Sequence, residues 1–181
     1  MTSDWKTLQS DLIYQNPWIK LYQDKVKTRS GKTMQYTWYK SSDVAVIVPF
    51  LGEDALLMIR QYRYPLRKVL LEFPAGHVEN AENPMKAAKR ELLEETGYIA
   101  KEIQHFYTYH PSISKSRQLV HIFRAKDLVE DKSNHDGAED ITRLEIVSVE
   151  QLKHLIKVRK IRKCWNFNCL SSLLHRYNNM T

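Results

Sequence analysis

The stretch GHVENAENPMKAAKRELLEETGY, which runs from Gly76 to Tyr98, is the part of the sequence that decides the fold. Its second half predicts a helix. Asn83 can cap the start, Pro84 suits the first helical position, and Gly97 suits the position just past the end. We therefore expect one helix bounded by these residues.

Three carboxylates of this helix share one face. Glu91, Glu94 and Glu95 stand at i, i+3 and i+4, so their side chains are neighbours. The adjoining stripe is apolar and consists of Met85, Ala88 and Leu92. The carboxylates are therefore expected at the edge of the core and only partly solvated. There, like charges cost more than the about 0.2 to 0.5 kcal/mol per pair that is typical of exposed sites.

This acidic face needs a positive charge to balance it. Arg90 supplies a single charge against the three glutamates and against Glu82 just upstream. One monovalent cation does not balance these carboxylates, whereas a divalent ion that prefers oxygen ligands does. The pattern therefore indicates a metal site.

The spacing of the stretch resembles the signature box of the Nudix hydrolases. Gly76 is followed after five residues by Glu82, and after seven more by RELLEETG, from Arg90 to Gly97. Only the last position departs, since Tyr98 stands where the family usually has an aliphatic residue. The resemblance implies a loop, helix and loop that hold Mg²⁺ or Mn²⁺ while a nucleoside diphosphate derivative is hydrolysed at its pyrophosphate.

The resemblance also implies roles for individual residues of the box. The metal ligands it implies are the carboxylates of Glu91 and Glu95, often that of Glu94, and the backbone carbonyl of Ala75. Arg90 is expected to orient these carboxylates, and Glu82 to steady the loop or a nearby water.

A general base outside the box is often used in the ADP-ribose branch of the family, where a mobile loop before the last strand carries it. The segment Asp136 to Ile141 (DGAEDI) resembles that loop. Glu139 is the candidate base, with Asp140 as its close competitor and an ordinary polar loop as the other interpretation.

Substrate contacts are predicted on both sides of the box. The segments RQYRYP and EFPAG resemble those that precede the box in ADP-ribose and nucleoside diphosphate sugar hydrolases. The residues they suggest are Arg60, Arg63 for a phosphate, and Glu72 for an amino or hydroxyl group. A further mark of the ADP-ribose branch is a proline a short distance after the box, commonly followed by a small residue and an aromatic one. Pro111 matches it in part, because Ile113 replaces the aromatic residue. Trp18, Tyr22 and Trp38 could each stack on a base or pack internally.

The rest of the chain predicts an α/β fold in two parts. Residues 1–41 form an N-terminal antiparallel β segment with a turn at Thr28 to Gly31. Its predicted strands are 12–26, with a break at Asn16, and 32–40. Residues 42–181 form a Nudix-type α/β/α sandwich with a mixed sheet. The strands predicted for the second part are 43–50, 55–63, 68–73, 103–109, 118–125 and 142–149. Helices are expected from the capping box of Ser148 and Gln151 to about Lys157, and from about Ile161 to Tyr177. In the ADP-ribose branch the N-terminal segment exchanges with a partner subunit, so the resemblance implies a homodimer.

Composition and charge limit the function classes. The 181 residues suffice for one core, and no apolar run approaches the about 20 residues of a membrane helix, so we expect a cytoplasmic protein without membrane contact. Cys164 and Cys169 have neither a zinc spacing nor a disulfide framework and are expected to be free thiols. The net charge is +7, and the basic run from Lys157 to Lys163 is typical of a solvated helix face, so a nucleic-acid partner is not favoured.

The sequence therefore predicts metal-dependent hydrolysis of ADP-ribose or a related nucleoside diphosphate sugar, which would give a nucleoside monophosphate and a sugar phosphate. Two alternatives stay open. The first is a Nudix hydrolase for dinucleoside polyphosphates or capped RNA. The second is a module that binds nucleotide sugars without cleaving them, against which the complete set of glutamates counts.

Overall fold

The computed structural model describes residues 5–131, 141–158, 160 and 161. The chain divides into two compact units. Residues up to 44 together with 109–120 form the first unit, and residues 45–108 together with those from 121 onward form the second. The first unit thus contains the predicted N-terminal segment. It also contains residues 109–120, which the sequence analysis placed in the second part.

The first unit is built on a three-stranded antiparallel sheet in the order β1-β2-β3. Its strands are β1 (Lys6–Gln15), β2 (Ile19–Lys27) and β3 (Thr33–Ser41). The predicted turn is confirmed, because the Thr28 amide donates to the Lys32 carbonyl at 2.8 Å and the Gly31 amide to the Thr28 carbonyl at 2.9 Å.

The strand β1 begins earlier than the sequence indicated. The prediction started at Leu12, whereas the strand starts at Lys6. Every residue of β1 is exposed, so it lacks the inward-facing apolar pattern by which a strand is recognised. The break at Asn16 is a side-chain turn, since the Asn16 Oδ1 accepts from the amides of Trp18 and Ile19 at 2.9 and 2.8 Å.

The remaining strands form two sheets, β10-β5-β6 and β7-β4-β9-β8. Their bounds are β4 (Val44–Pro49), β5 (Ala55–Arg63), β6 (Lys68–Glu72), β7 (Ala75–His77), β8 (Tyr98–Tyr109), β9 (Val120–Glu130) and β10 (Ile141–Ser148). The helices are α1 (Pro84–Thr96) and α2 (Val149–Lys157), and a short 3₁₀ turn covers Tyr64–Leu66. The α/β class is confirmed. The strands, however, divide between two sheets instead of continuing in one.

The ends of both helices agree with the sequence signals. In α1 the Asn83 side chain accepts from the Met85 amide at 2.9 Å, Pro84 is the first residue, and Gly97 closes the helix at φ 71°. That φ lies in the left-handed region, which glycine adopts without steric cost. In α2 the side chains of Ser148 and Gln151 form the predicted reciprocal capping box.

Helix α1 packs its apolar face against strands of the four-stranded sheet. The buried cluster consists of Ala45, Ile47, Val78, Ala87, Ala88, Leu92, Phe123 and Ala125. Met85, which the sequence placed on this face, is instead 37 % exposed because it lies in the first turn, ahead of the contact. This packing fixes the side of α1 from which its glutamates project.

Several predictions fall outside the described residues. These are the second helix from about 161 to 177, Cys164 and Cys169, part of the basic run, and the loop that carries Glu139 and Asp140. Among the described residues, no helix combines the length and apolar character that crossing a bilayer requires.

Replacing Leu92 by Ala should lower the free energy of unfolding by about 2 to 5 kcal/mol, because Leu92 is 1 % exposed in the cluster under α1. Urea denaturation followed by circular dichroism measures the loss. Met85→Ala in the same helix is the control and should cost about 1 kcal/mol or less. Equal losses for the two variants would show that α1 does not depend on this packing.

Candidate active site

Arg90 is the centre of the acidic site. Its guanidinium donates to the carboxylates of Glu82 at 3.0 and 3.2 Å, of Glu91 at 2.7 Å and of Glu94 at 3.0 Å. It also donates to the backbone carbonyl of His77 at 3.0 Å. One side chain of α1 therefore ties together the preceding loop, the end of β7 and its own helix. These bonds raise the pKa of Arg90 further, that with Glu82 most strongly.

Glu91 is the most enclosed of the carboxylates that Arg90 holds. Its side chain is 12 % exposed, whereas that of Glu94 is 52 % exposed. Burial raises the pKa of Glu91, the bond to Arg90 opposes that effect, and repulsion from Glu94 and Glu82 adds to it. The expected partial solvation therefore applies to Glu91 and not to Glu94.

The glycine at the start of the box makes room for Glu91. A β-carbon built on Gly76 would overlap the Glu91 carboxylate. Any larger residue in this place would displace that carboxylate from Arg90. Gly76 thus leaves the space in which the Glu91 carboxylate lies.

Glu95 connects the helix to the other side of the same loop. Its Oε2 accepts from the Ala75 backbone amide at 2.8 Å. The bond brings the end of α1 against the start of β7, where the Ala75 carbonyl belongs to the same short strand. The structure therefore places Glu95 beside Ala75, and these are two of the residues predicted as metal ligands.

Glu82 stabilises the loop before α1. The hydrogen bonds from Arg90, and then that from the Glu79 amide at 2.9 Å, lower the pKa of Glu82. Its side chain is 16 % exposed. This geometry supports the expected role in steadying the loop.

The donor set fits a hard divalent cation. Four carboxylates, those of Glu82, Glu91, Glu94 and Glu95, stand against the one guanidinium of Arg90, and every available ligand atom is oxygen. In the arrangement described, Arg90 and the Ala75 amide hold these carboxylates apart. Within the ranges that the structure covers, no three His, Cys, Asp or Glu side chains converge on one point. A cation would stabilise the charged form of Glu91, whose pKa is raised mainly by burial and further by repulsion from Glu94 and Glu82.

Two of the predicted substrate residues bind each other. Arg63, at the end of β5, donates to Glu72, at the end of β6, with distances of 2.7 to 3.2 Å. The Glu72 side chain is 1 % exposed and that of Arg63 is 31 % exposed. Glu72 therefore turns both oxygens to Arg63, while the Arg63 side chain stays partly exposed.

Arg60 forms a second pair that the sequence did not reveal. It binds Glu145 of β10 through Nε and Nη2, and Arg143 donates to the same carboxylate at 3.1 Å. The bond from Arg60 is the main reason that the pKa of Glu145 is lowered. The signal available in the sequence was the alternation of β10, but only the register of β10 with β5 identifies the partner.

The other predicted substrate contacts belong to the first unit. Pro111 belongs to the first unit and is exposed. Trp18 is 70 % exposed, whereas the rings of Tyr22 and Trp38 stack on each other with centroids 4.7 Å apart. For Tyr22 and Trp38 the packing interpretation therefore describes the structure.

Comparison with known proteins agrees with these features. Residues 41–166 match the NUDIX domain family, and residues 5–39 match the nucleoside diphosphate sugar hydrolase N-terminal domain. The chain is 31 % identical over 158 residues to an ADP-ribose pyrophosphatase of Bacillus subtilis (strain 168). The aligned region covers 86 % of this chain and 85 % of that protein. It is 38 % identical over 99 residues to an ADP-sugar pyrophosphatase of Mus musculus, which covers 49 % of this chain and 45 % of that protein.

A solved structure described as an ADP compounds hydrolase has a similar fold. The TM-score is 0.83 at 20 % identity, over 97 % of this chain and 94 % of that chain. The match to the NUDIX domain spans most of the chain and includes the whole acidic site from Ala75 to Gly97. The chain therefore belongs to the Nudix hydrolase family.

Proposed function

We propose that this enzyme hydrolyses the pyrophosphate bond of ADP-ribose or a related nucleoside diphosphate sugar to a nucleoside monophosphate and a sugar phosphate. The observation that carries the proposal is the set of carboxylates gathered around Arg90 beside Gly76. Its substrate class is supported by the relatives named as ADP-ribose and ADP-sugar pyrophosphatases and by the match of residues 5–39 to the N-terminal domain of nucleoside diphosphate sugar hydrolases.

The proposed cofactor is Mg²⁺, or Mn²⁺ in its place, held by the carboxylates of Glu91, Glu94 and Glu95 and by the Ala75 carbonyl. Such an ion neutralises the non-bridging phosphate oxygens and makes a bound water more acidic. Arg90 keeps Glu91 and Glu94 in position, and the Ala75 amide keeps Glu95 against the loop. Gly76 leaves the space that Glu91 needs.

In the proposed reaction a water oxygen forms a bond to one phosphorus as the bond from that phosphorus to the bridging oxygen breaks. The bridging oxygen leaves with the other phosphate. Glu139 is proposed to take the proton of the attacking water, with Asp140 as the competing candidate.

Arg63 is proposed to contact a substrate phosphate, because its side chain is partly exposed and its guanidinium is oriented by the buried Glu72. Since Glu72 already uses both oxygens for Arg63, it is better placed to hold Arg63 than to bind substrate itself. Arg60 is oriented by Glu145 in a comparable way. Roles for Arg60 and Pro111 in substrate binding stay predictions.

The alternative substrates are dinucleoside polyphosphates and capped RNA. The feature that suggested them is the basic run from Lys157 to Lys163, part of which lies outside the described residues. Product identity decides between these substrates and a nucleotide sugar.

The cytoplasmic location also stays a prediction, which cell fractionation with an antibody would test.

Purified protein with Mg²⁺ should convert ADP-ribose into AMP and ribose 5-phosphate, and a panel of nucleoside diphosphate derivatives separated by chromatography will rank its substrates. EDTA should stop turnover, and added Mg²⁺ or Mn²⁺ should restore it. Glu95→Gln should lower kcat by about 100-fold or more while ligand binding changes little, because the variant loses a proposed metal ligand. Glu150→Gln on α2, where Glu150 is 83 % exposed, is the control. Full turnover in EDTA, or by Glu95→Gln, would disprove this mechanism.

Gly76→Ala should reduce kcat by about 100-fold, because the added methyl group displaces the Glu91 carboxylate from Arg90. Its free energy of unfolding should change much less than its activity. Lys89→Ala, at an exposed position of α1, is the control and should keep the kcat of the wild type. Wild-type kcat in Gly76→Ala would mean that the position of Glu91 is not important for catalysis.

Glu139→Gln and Asp140→Asn distinguish the two candidate bases. We expect Glu139→Gln to lower kcat by about 10² to 10⁴-fold with little change in KM, and to remove the acidic limb of the pH profile of kcat. Asp140→Asn should retain most activity. The reverse order of effects would assign the base to Asp140.

We propose that the chain forms a homodimer through its N-terminal segment. The strand β1 is exposed along its whole length, and its apolar side chains Leu8, Leu12, Ile13 and Tyr14 are 47 to 55 % exposed. Light scattering should therefore give twice the mass of one chain. The pair Leu12→Glu and Tyr14→Glu should give monomers, whereas Gln35→Glu with Thr37→Glu on β3 should not. A monomeric wild-type protein would contradict the proposal.

A further inference from the structure

The first unit contains a pocket of its own. Its volume is about 200 Å³, and it lies between strands β2 and β3 and the segment 113–117. The residues that carry the argument are Asp24, Tyr36, Trp38, Ser114, Lys115 and Arg117. We call this feature the basic pocket.

The segment that closes the basic pocket is held firmly on β3. The Tyr36 hydroxyl donates to the Ser114 carbonyl at 2.5 Å, and the Tyr39 amide donates to the Lys115 carbonyl at 2.9 Å. The Ser116 amide also donates to the Ser112 carbonyl at 2.9 Å, which closes a turn. The pocket is therefore organised before any ligand binds.

The aromatic rings of the pocket are already in contact with other groups. Tyr22 stacks on Trp38 with an interplanar angle of 14°, and the Arg117 guanidinium lies 5.1 Å from the centroid of the Trp38 ring. The Lys115 ammonium lies 5.8 Å from the centroid of the Tyr36 ring. These contacts leave little ring surface on which a base could stack. The groups of the pocket that could bind a ligand are therefore its two cations, Lys115 and Arg117.

The charges of the pocket favour an anion. Lys115 and Arg117 contribute two positive charges, and Asp24 contributes one negative charge. The Asp24 carboxylate accepts from the Ser10 hydroxyl at 2.6 Å and from the Trp38 indole at 2.8 Å. No carboxylate of a described residue forms an ion pair with Lys115 or Arg117.

We propose that the basic pocket binds the phosphate group of a small phosphate monoester. The planar fork of Arg117 matches two phosphate oxygens, and Lys115 adds a point charge to the third. Pockets that enclose a drug-sized ligand have volumes of about 300 Å³ or more. The basic pocket is smaller, so it has room for the phosphate and the few atoms next to it. The proposal does not rest on the proposed function, although both products of that reaction carry such a group.

The test is calorimetric titration of the full chain, in EDTA, with inorganic phosphate, AMP and ribose 5-phosphate. Lys115→Gln with Arg117→Gln should weaken all three at least about tenfold, because each lost contact is a hydrogen bond to a charged group. Lys25→Gln with Lys27→Gln, which removes two exposed lysines from β2 of the same unit, is the control for net charge. Arg117→Lys keeps the charge, loses the fork, and should bind with intermediate affinity.

NMR spectroscopy gives a second measurement. The chemical shift of the Trp38 indole N–H should change as phosphate is added to the wild type. It should stay constant in the Lys115→Gln, Arg117→Gln variant. Glu95→Gln should bind phosphate as the wild type does, so loss of turnover and loss of this site are distinguishable.

Equal weakening in the Lys25, Lys27 control would assign binding to the overall charge, and loss for AMP alone would assign it to the base. Either result, or unchanged affinity in the Lys115, Arg117 variant, would overturn the proposal.

Discussion

The contacts of Arg90 are the interaction on which the active site depends. Three carboxylates and one backbone carbonyl meet at a single guanidinium, so the loop before α1 and the helix itself share one anchor. Burial of Ala88 and Leu92 beneath the helix decides which face these carboxylates occupy. The core thus sets the direction of the acidic side chains, and Arg90 sets their spacing. The remaining excess of negative charge is what makes the site suited to a cation.

Local features of this site could be predicted from the sequence because each depends on neighbouring residues. The caps at Asn83 and Gly97 and the shared face of Glu91 and Glu95 follow from helix geometry alone. The close approach of Gly76 to Glu91 was not predicted, because it depends on how the strand before the helix packs against α1. Met85 was misplaced because periodicity does not show where along a helix the contact with the sheet begins.

Interactions between separate strands could not be predicted in the same way. The pair of Arg60 with Glu145 joins residues 85 positions apart, and it depends on the register of β10 against β5. The pair of Arg63 with Glu72 needs the antiparallel register of β5 and β6. A one-residue shift of either register would turn these side chains to the opposite face of the sheet. The stacking of Tyr22 on Trp38 is of the same kind, since these residues are partners across β2 and β3.

The central claim is that the carboxylates around Arg90 are held there to bind a divalent cation. Anomalous diffraction from crystals soaked in Mn²⁺ tests it most directly, since the signal locates the metal without assumptions about ligands. We expect an anomalous peak within about 2.0 to 2.2 Å of carboxylate oxygens of Glu91 and Glu95, the distance typical of small divalent ions. A fully soaked crystal with no peak at that turn of α1, or with Mn²⁺ bound only elsewhere, would contradict it.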